Sequence, residues 1–271
     1  MATRKRNTED HSLVKALNPR DVDVQHYGDE PLFVLQPDED KRRVALMRSF
    51  TWYHRFYGKK DAKELYLVGD IFDFWFEHKY SIPKGNIRFL GMLASLKDKG
   101  VEIHLFTGNH DMWMFGYLEK EIGLNVIKNP ITKKIENKIF FIGHGDGLGP
   151  GDRKYKFVKK IFTNSLCQWL FARLHPNLSF SIAHYWSKMS RENENSESPS
   201  FLGEDKEWLI QYSKEKLKEN EDIDYFIFGH RHVPIHHKIG HKSTYINLGD
   251  WINHYTYGVF DGKKIELKKF K

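Results

Sequence analysis

The chain is expected to fold as an α/β domain of sheets flanked by helices, and three observations carry that reading. Short apolar runs rich in aromatic and β-branched residues recur along it. Amphipathic helical stretches lie between them, and the four clearest runs each end in a glycine followed by a polar residue. Runs of this length bounded by turn signals read as buried strands, and strands alternating with helices call for a sheet covered by helices.

The elements follow in chain order. Residues 1–60 are atypical, with strand character only at Leu32 to Leu35, which runs into Gln36-Pro37-Asp38-Glu39-Asp40. The regular pattern begins with Leu65 to Val68, followed by a helix over Asn86 to Lys99 that Gly100 ends. Ile103 to Phe106 and Ile139 to Ile142 read as further strands. Residues 155–200 form an insertion of different texture. From Phe157 to Met189, apolar residues such as Phe157, Ile161, Trp169 and Leu170 alternate with Lys159, Lys160 and Arg173, as in amphipathic helices broken near Pro176. Such a face either packs on the core or serves as a lid or membrane-facing surface. Arg191 to Ser200 is polar and proline-bearing and reads as a loop. Lys206 to Lys218 is helical in pattern, Tyr225 to Phe228 is a strand, and Thr244 to Leu248 and Tyr257 to Phe260 close the sheets. The sequence KKIELKKF suits an edge strand. No internal repeat is visible, and residues 1–271 read as one domain.

Forty-three Lys and Arg against 36 Asp and Glu give a net charge of +7, which favours anionic partners. No basic-aromatic recognition motif accompanies that charge, so no specific nucleic acid is expected. Cys167 is the single cysteine, which excludes an intramolecular disulfide and a cysteine-cluster zinc site. A reducing cytoplasmic setting fits. The N-terminal MATRKRNTEDHSLVKAL lacks the apolar core of a signal peptide, and no run has membrane-spanning length. The expectation is a protein that is soluble or peripheral.

The chemistry lies at the strand ends: LYLVG-Asp70, LFTG-Asn109 followed by His110 and Asp111, FFIG-His144, and FIFG-His230 with His232 two residues on. Ligand sites of α/β folds gather where the carboxyl ends of strands converge. Each polar residue follows a glycine, which permits a tight turn and close backbone approach. Imidazole, amide and carboxylate ligands together suit manganese, iron or zinc rather than calcium. One such cluster alone would carry little weight; four in the same context specify a metal site.

These blocks resemble four of the five signature blocks of the calcineurin-like metallophosphoesterases. The resemblance implies a β-sandwich flanked by helices, with a helical insertion, and a site for two divalent ions, with Mn2+ expected. It makes Asp70 the bridging ligand, places Asn109, His144 and His230 on one ion and gives His232 to the other. His110 would protonate the leaving group, with Asp111 orienting it by hydrogen bonding. A second layer of similarity, in GDIFDFWFE, the HGD at His144 to Asp146, and Asp152 with Tyr155, looks like the UDP-2,3-diacylglucosamine diphosphatases of lipid A biosynthesis. Those enzymes release UMP and 2,3-diacylglucosamine 1-phosphate and hold acyl chains in a helical insertion at the place of residues 155–200. Asp146, Asp152, Tyr155, Lys159 and Lys160 are then the expected substrate contacts, and Asp73, Phe74 and Trp75 line or support the site.

Two departures keep alternatives open. His110 stands where the best-known lipid enzymes carry arginine, whereas phosphoesterases acting on nucleotides or phosphodiesters carry histidine. The opening Asp-x-His block of the family is absent from the first 60 residues, so the first metal position is incomplete. That is compatible with a one-metal or non-catalytic relative, or with ligands recruited from Asp38, Asp40, His26, His54, His236, His237 or His241. A frameshift ahead of Lys63 would also produce it.

Overall fold

The computed structural model describes residues 32–34, 62–150, 153–194, 200–251 and 253–270. They form two sheets and six helices. In chain order these are β1 (Leu32–Val34), β2 (Glu64–Val68), α1 (Ile87–Asp98), β3 (Glu102–Phe106), α2 (Tyr117–Ile122), β4 (Asn125–Ile127), β5 (Ile131–Ile135) and β6 (Lys138–Ile142). The insertion supplies α3 (Arg153–Phe162), α4 (Ser165–Phe171) and α5 (Pro176–Glu194). The chain then continues through α6 (Trp208–Glu219), β7 (Tyr225–Phe228), β8 (Pro234–Ile239), β9 (Ser243–Leu248), β10 (Thr256–Phe260) and β11 (Ile265–Lys269).

One sheet has the order β11-β10-β1-β2-β3-β4 and the other β5-β6-β7-β9-β8. Within the first, β1 to β4 are parallel; within the second, β6, β7 and β9 are parallel, so each sheet presents a row of carboxyl ends. The strand expected at Leu32 to Leu35 is present as β1, between β10 and β2, with Leu32 opposite Leu65. Asp38, Asp40, His26 and His54 lie outside the described residues.

Period-two alternation divides the second sheet between two cores. Phe140, Ile142, Ile227, Ile246 and Leu248 join the core shared with the first sheet. Phe141, Phe226, Phe228 and Tyr245 face the other way, against Leu209 and Ile210 of α6. The outcome is the expected sandwich with flanking helices. Helix α1 ends at Gly100, whose φ of +88° is of the kind that helix C-termini favour. Pro176 opens α5, since a first-turn residue needs no amide donor. The loop expected over Arg191 to Ser200 is corrected in part: Arg191 to Glu194 continue α5, because polar residues with good helix propensity prolong an established helix. Residues 195–199 are outside the described set.

Candidate metal centre and its surroundings

The turn after β2 is built around Asp70, which is buried and adopts φ +52°. A non-glycine residue in the left-handed region costs about 1–3 kcal/mol and persists only where its surroundings fix it. Asp111 does the fixing. Its buried carboxylate accepts N–H bonds from Gly108 (2.7 Å), Ile71 (2.7 Å), Asp70 (3.2 Å) and Phe72 (3.2 Å). Four donors occupy all the lone-pair positions of a carboxylate. Asp111 therefore does not orient the His110 ring by hydrogen bonding, as its place in the sequence suggested; it splints the Asp70 turn to the Gly108 turn. Glycine is required at 108 because a Cβ there would collide with the Asp70 carboxylate.

Asp70 turns its two oxygens to different partners. Oδ1 accepts the His110 backbone N–H at 2.7 Å, and Oδ2 lies 3.0 Å from His144 Nε2. His144 Nδ1 is 2.9 Å from the Val68 carbonyl, which can only accept, so Nδ1 carries a proton. Its Nε2 is thus the ligand nitrogen, and it also lies 3.1 Å from Asn109 Oδ1. Ligand atoms of Asp70, His144 and His230 all fall within 4.8 Å of one another. Such a cluster of electron-pair donors, two imidazoles with oxygens of a carboxylate and an amide, fits a divalent transition metal.

The electrostatics agree with that fit. Burial disfavours the charged form of Asp70, but His144, His110 and the His110 N–H outweigh it and hold the carboxyl well below the usual carboxylate range. Burial likewise lowers His144, yet the Asp70 charge beside it prevails and raises the imidazole to about 9. Positive charge is thus favoured between these side chains. His230 goes the other way, to about 3, through burial and repulsion from His144, so it stays neutral and able to ligate.

His230 and His232 both have positive φ, +60° and +54°, on either side of Arg231. His232 lies outside the close trio, but near enough for the Asp70 and Asp250 charges to act on it; burial nevertheless lowers its pKa. His110 sits at the margin of the site, partly exposed, with Nδ1 3.1 Å from the Asp73 carbonyl.

Three of the expected substrate contacts come together. Asp146 Oδ2 accepts from Tyr155 Oη at 2.5 Å and Lys159 Nζ at 2.6 Å, and Tyr155 approaches the His230 ring. Burial works against the Asp146 charge, while His144, Lys159 and His230 hold its pKa below the ordinary value. Lys160 is exposed and outside this cluster. Asp152 is not among the described residues. Trp75 is fully buried, with its indole N–H on Glu77, whereas Phe74 packs against Trp113, Phe171 and Phe180 beneath the insertion. Of the histidines considered as recruits, His237 pairs with Glu204 at 3.1 Å and His236 is exposed on β8. His241 follows the β8 end; none of the three belongs to the close trio.

Asp250 was missed. It follows Gly249 at the end of β9, so it repeats the strand–glycine–polar pattern of the other four clusters, and that repetition was the available signal. Its buried carboxylate holds His254 Nδ1 at 2.9 Å.

A sandwich whose parallel strands from both sheets deliver carboxylate, amide and imidazole donors to one point is the architecture of a metal-dependent phosphoesterase. Residues 40–234 match the model of the Calcineurin-like phosphoesterase family, and the chain belongs to that family. It is a hydrolase that uses divalent metal to cleave phosphoester bonds. Among curated proteins, it is similar to the UDP-2,3-diacylglucosamine hydrolase of Porphyromonas gingivalis, at 36% identity over 242 residues, covering 85% of this chain and 90% of that one. The UDP-2,3-diacylglucosamine hydrolase of Vibrio parahaemolyticus is 29% identical over 202 residues, covering 73% of this chain and 80% of the relative. Among solved structures, a phosphoesterase from E. coli aligns with TM-score 0.40 at 13% identity, covering 89% of this chain and 92% of that one.

Proposed function

We propose that the chain hydrolyses UDP-2,3-diacylglucosamine to UMP and 2,3-diacylglucosamine 1-phosphate, a step of lipid A biosynthesis. The observation that supports it most is the adjacency of two unlike surfaces. The Asp70–His144–His230 centre lies beside Asp146, Tyr155 and Lys159, and Tyr155 and Lys159 belong to a helix whose Phe157 and Ile161 are exposed. A polar nucleotide end and an acylated end of one substrate call for that combination. The activity carried by the name of the 36% identical relative agrees with it.

In this reading residues 1–271 form one domain, Asp70 is shared between two ions of which Mn2+ suits the donors, and Asn109, His144 and His230 complete one position. His232 serves the other. Bound divalent ions would make water more acidic and offset charge on the transferred phosphoryl group. The chain's own residues do the rest. His110, its Nδ1 held 3.1 Å from the Asp73 carbonyl at the margin of the site, takes or delivers a proton at the leaving oxygen. Lys159 and Tyr155 orient the phosphates, and Asp146 fixes both side chains.

No helix among the described residues is long and apolar enough to cross a membrane. The exposed apolar side chains of α3 to α5 instead favour peripheral contact with a lipid surface on the cytoplasmic side of the inner membrane. Hydrolysis of synthetic UDP-2,3-diacylglucosamine with added Mn2+, followed by chromatography of UMP, tests the assignment. UMP release that stops on chelation is expected. Turnover of a simple phosphodiester with no UMP release would favour the nucleotide or phosphodiester alternative that His110 raises.

A further inference from the structure

The loop that presents His230 and His232 is built against its backbone preference, with left-handed φ at both histidines and Arg231 between them. Such a loop keeps its shape only if something outside it holds the middle residue. Arg231 is held by three residues. Its Nε and Nη2 each lie 3.0 Å from a different oxygen of Glu207, a residue with no exposed surface, and its guanidinium stacks 4.8 Å from the Trp208 ring centre. Nη2 also reaches the Ser200 carbonyl at 3.3 Å. Glu207 is itself the residue that precedes α6, and its Oε1 accepts the Leu202 N–H at 3.2 Å. Trp208 in turn approaches the His230 ring edge-on. The arginine thus ties the histidine loop to the start of α6 and to the segment that returns from the insertion.

We propose that Arg231 is a positioning residue for metal binding: its two-point ion pair with Glu207 sets the directions of His230 and His232. The proposal rests on the reading of those histidines as ligands. A fork on a fork fixes both angle and distance, which a point charge does not. Partners that orient metal ligands typically contribute roughly 10- to 100-fold in metal affinity.

The test compares Arg231→Ala, Arg231→Lys, Glu207→Gln and His230→Ala by Mn2+ titration calorimetry and by the visible spectrum of the Co2+-loaded protein. Far-UV circular dichroism verifies folding. Arg231→Ala and Glu207→Gln are expected to weaken Mn2+ binding by roughly 10- to 100-fold and to shift the Co2+ bands, with little recovery in Arg231→Lys. A merely structural role would lower the melting temperature and leave the Co2+ spectrum as it was. Folded Arg231→Ala that binds Mn2+ within about twofold of the parent overturns the proposal, provided His230→Ala has lost affinity. If His230→Ala binds as the parent does, the ligand assignment is what fails, and the proposal falls with it. Should Arg231→Ala not fold, the near-isosteric Glu207→Gln decides, and unchanged affinity there overturns the proposal.

Discussion

In β6, β7 and β9, successive side chains alternate between two cores, and nearly all of them are buried. In α3 and α4 no residue is buried. The two regions use their apolar residues differently. The sandwich finds its complement within the chain, sheet against sheet and sheet against α6. The insertion finds it on one side only, where Phe162, Phe171 and Phe180 close on Trp113, Phe74, Phe76 and His78. Trp113 pins the arrangement by donating its indole N–H to the Phe162 carbonyl at 2.7 Å. Elsewhere on these helices Phe157, Leu166, Trp169, Leu170, Tyr185 and Trp186 are each more than half exposed. Exposed apolar side chains in this number are what the proposed lipid contact calls for. In the proposed function, the first region is the scaffold that presents the metal ligands and the second is the surface that meets the acylated end of the substrate.

The largest effect is expected at the scaffold. Asp70→Ala removes the oxygens that face His144 Nε2 and the His110 N–H, and leaves Asp111 splinting a turn with no carboxylate to present. Metal binding and turnover should both be abolished, while the exposed apolar side chains of α3 to α5, which Asp70 does not touch, should keep the lipid affinity proposed for them. Elemental analysis beside a turnover assay and vesicle cosedimentation checks each half. A folded variant that still carries stoichiometric metal would end the bridging assignment.

The converse experiment strikes the insertion. Trp169 and Leu170 are 52% and 54% exposed, so replacing both with serine should change stability by only about 1 kcal/mol, roughly 0.5 for each. Loss of two apolar side chains from a lipid contact should weaken binding to anionic phospholipid vesicles by about tenfold or more. Unchanged vesicle affinity at an unchanged melting temperature would mean that this face is not where lipid is met.

The contrast also governs what could be read from the sequence. Central strands such as β2 and β7 are buried on both faces and announce themselves as nearly unbroken apolar runs. The edge strands β5 (ITKKI) and β8 (PIHHKI) turn one face to solvent and carry lysine or histidine there, so neither was anticipated. Helix α2 has six residues between Gly116 and Gly123, both with positive φ, too few to show a helical period. At the site, the residue types at strand ends were legible because ligand chemistry restricts them. The work of Asp111 was not, because it is directed at four backbone N–H groups, and no pattern of side-chain types reports those. Arg231 was hidden for a similar reason: its partner Glu207 stands 24 positions away, before a helix.

The smallest effect tests how the sandwich is locked between its sheets. Glu64 on β2 meets Lys133 of β5 at 2.7 Å and is also approached by His104 and by the Tyr66 hydroxyl. The hydrogen bond with His104 is the largest influence, and with Lys133 and Tyr66 it overcomes the cost of burial and lowers the Glu64 carboxyl from its ordinary 4.5 to about 2. A group whose pKa falls on folding stabilises the native state above its unfolded pKa, and that stabilisation disappears as pH drops through the folded value. Glu64→Gln should therefore lower the melting temperature modestly at pH values above about 4.5, and the gap from the parent should narrow steadily between about 4.5 and 2. Glu64 is partly exposed, so screening by solvent keeps the effect small. The Trp169→Ser/Leu170→Ser variant, altered only in the insertion, should show no such pH-dependent gap. A Glu64→Gln deficit that stayed constant down to pH 2 would assign the loss to packing around Tyr66 rather than to the charge that joins the two sheets.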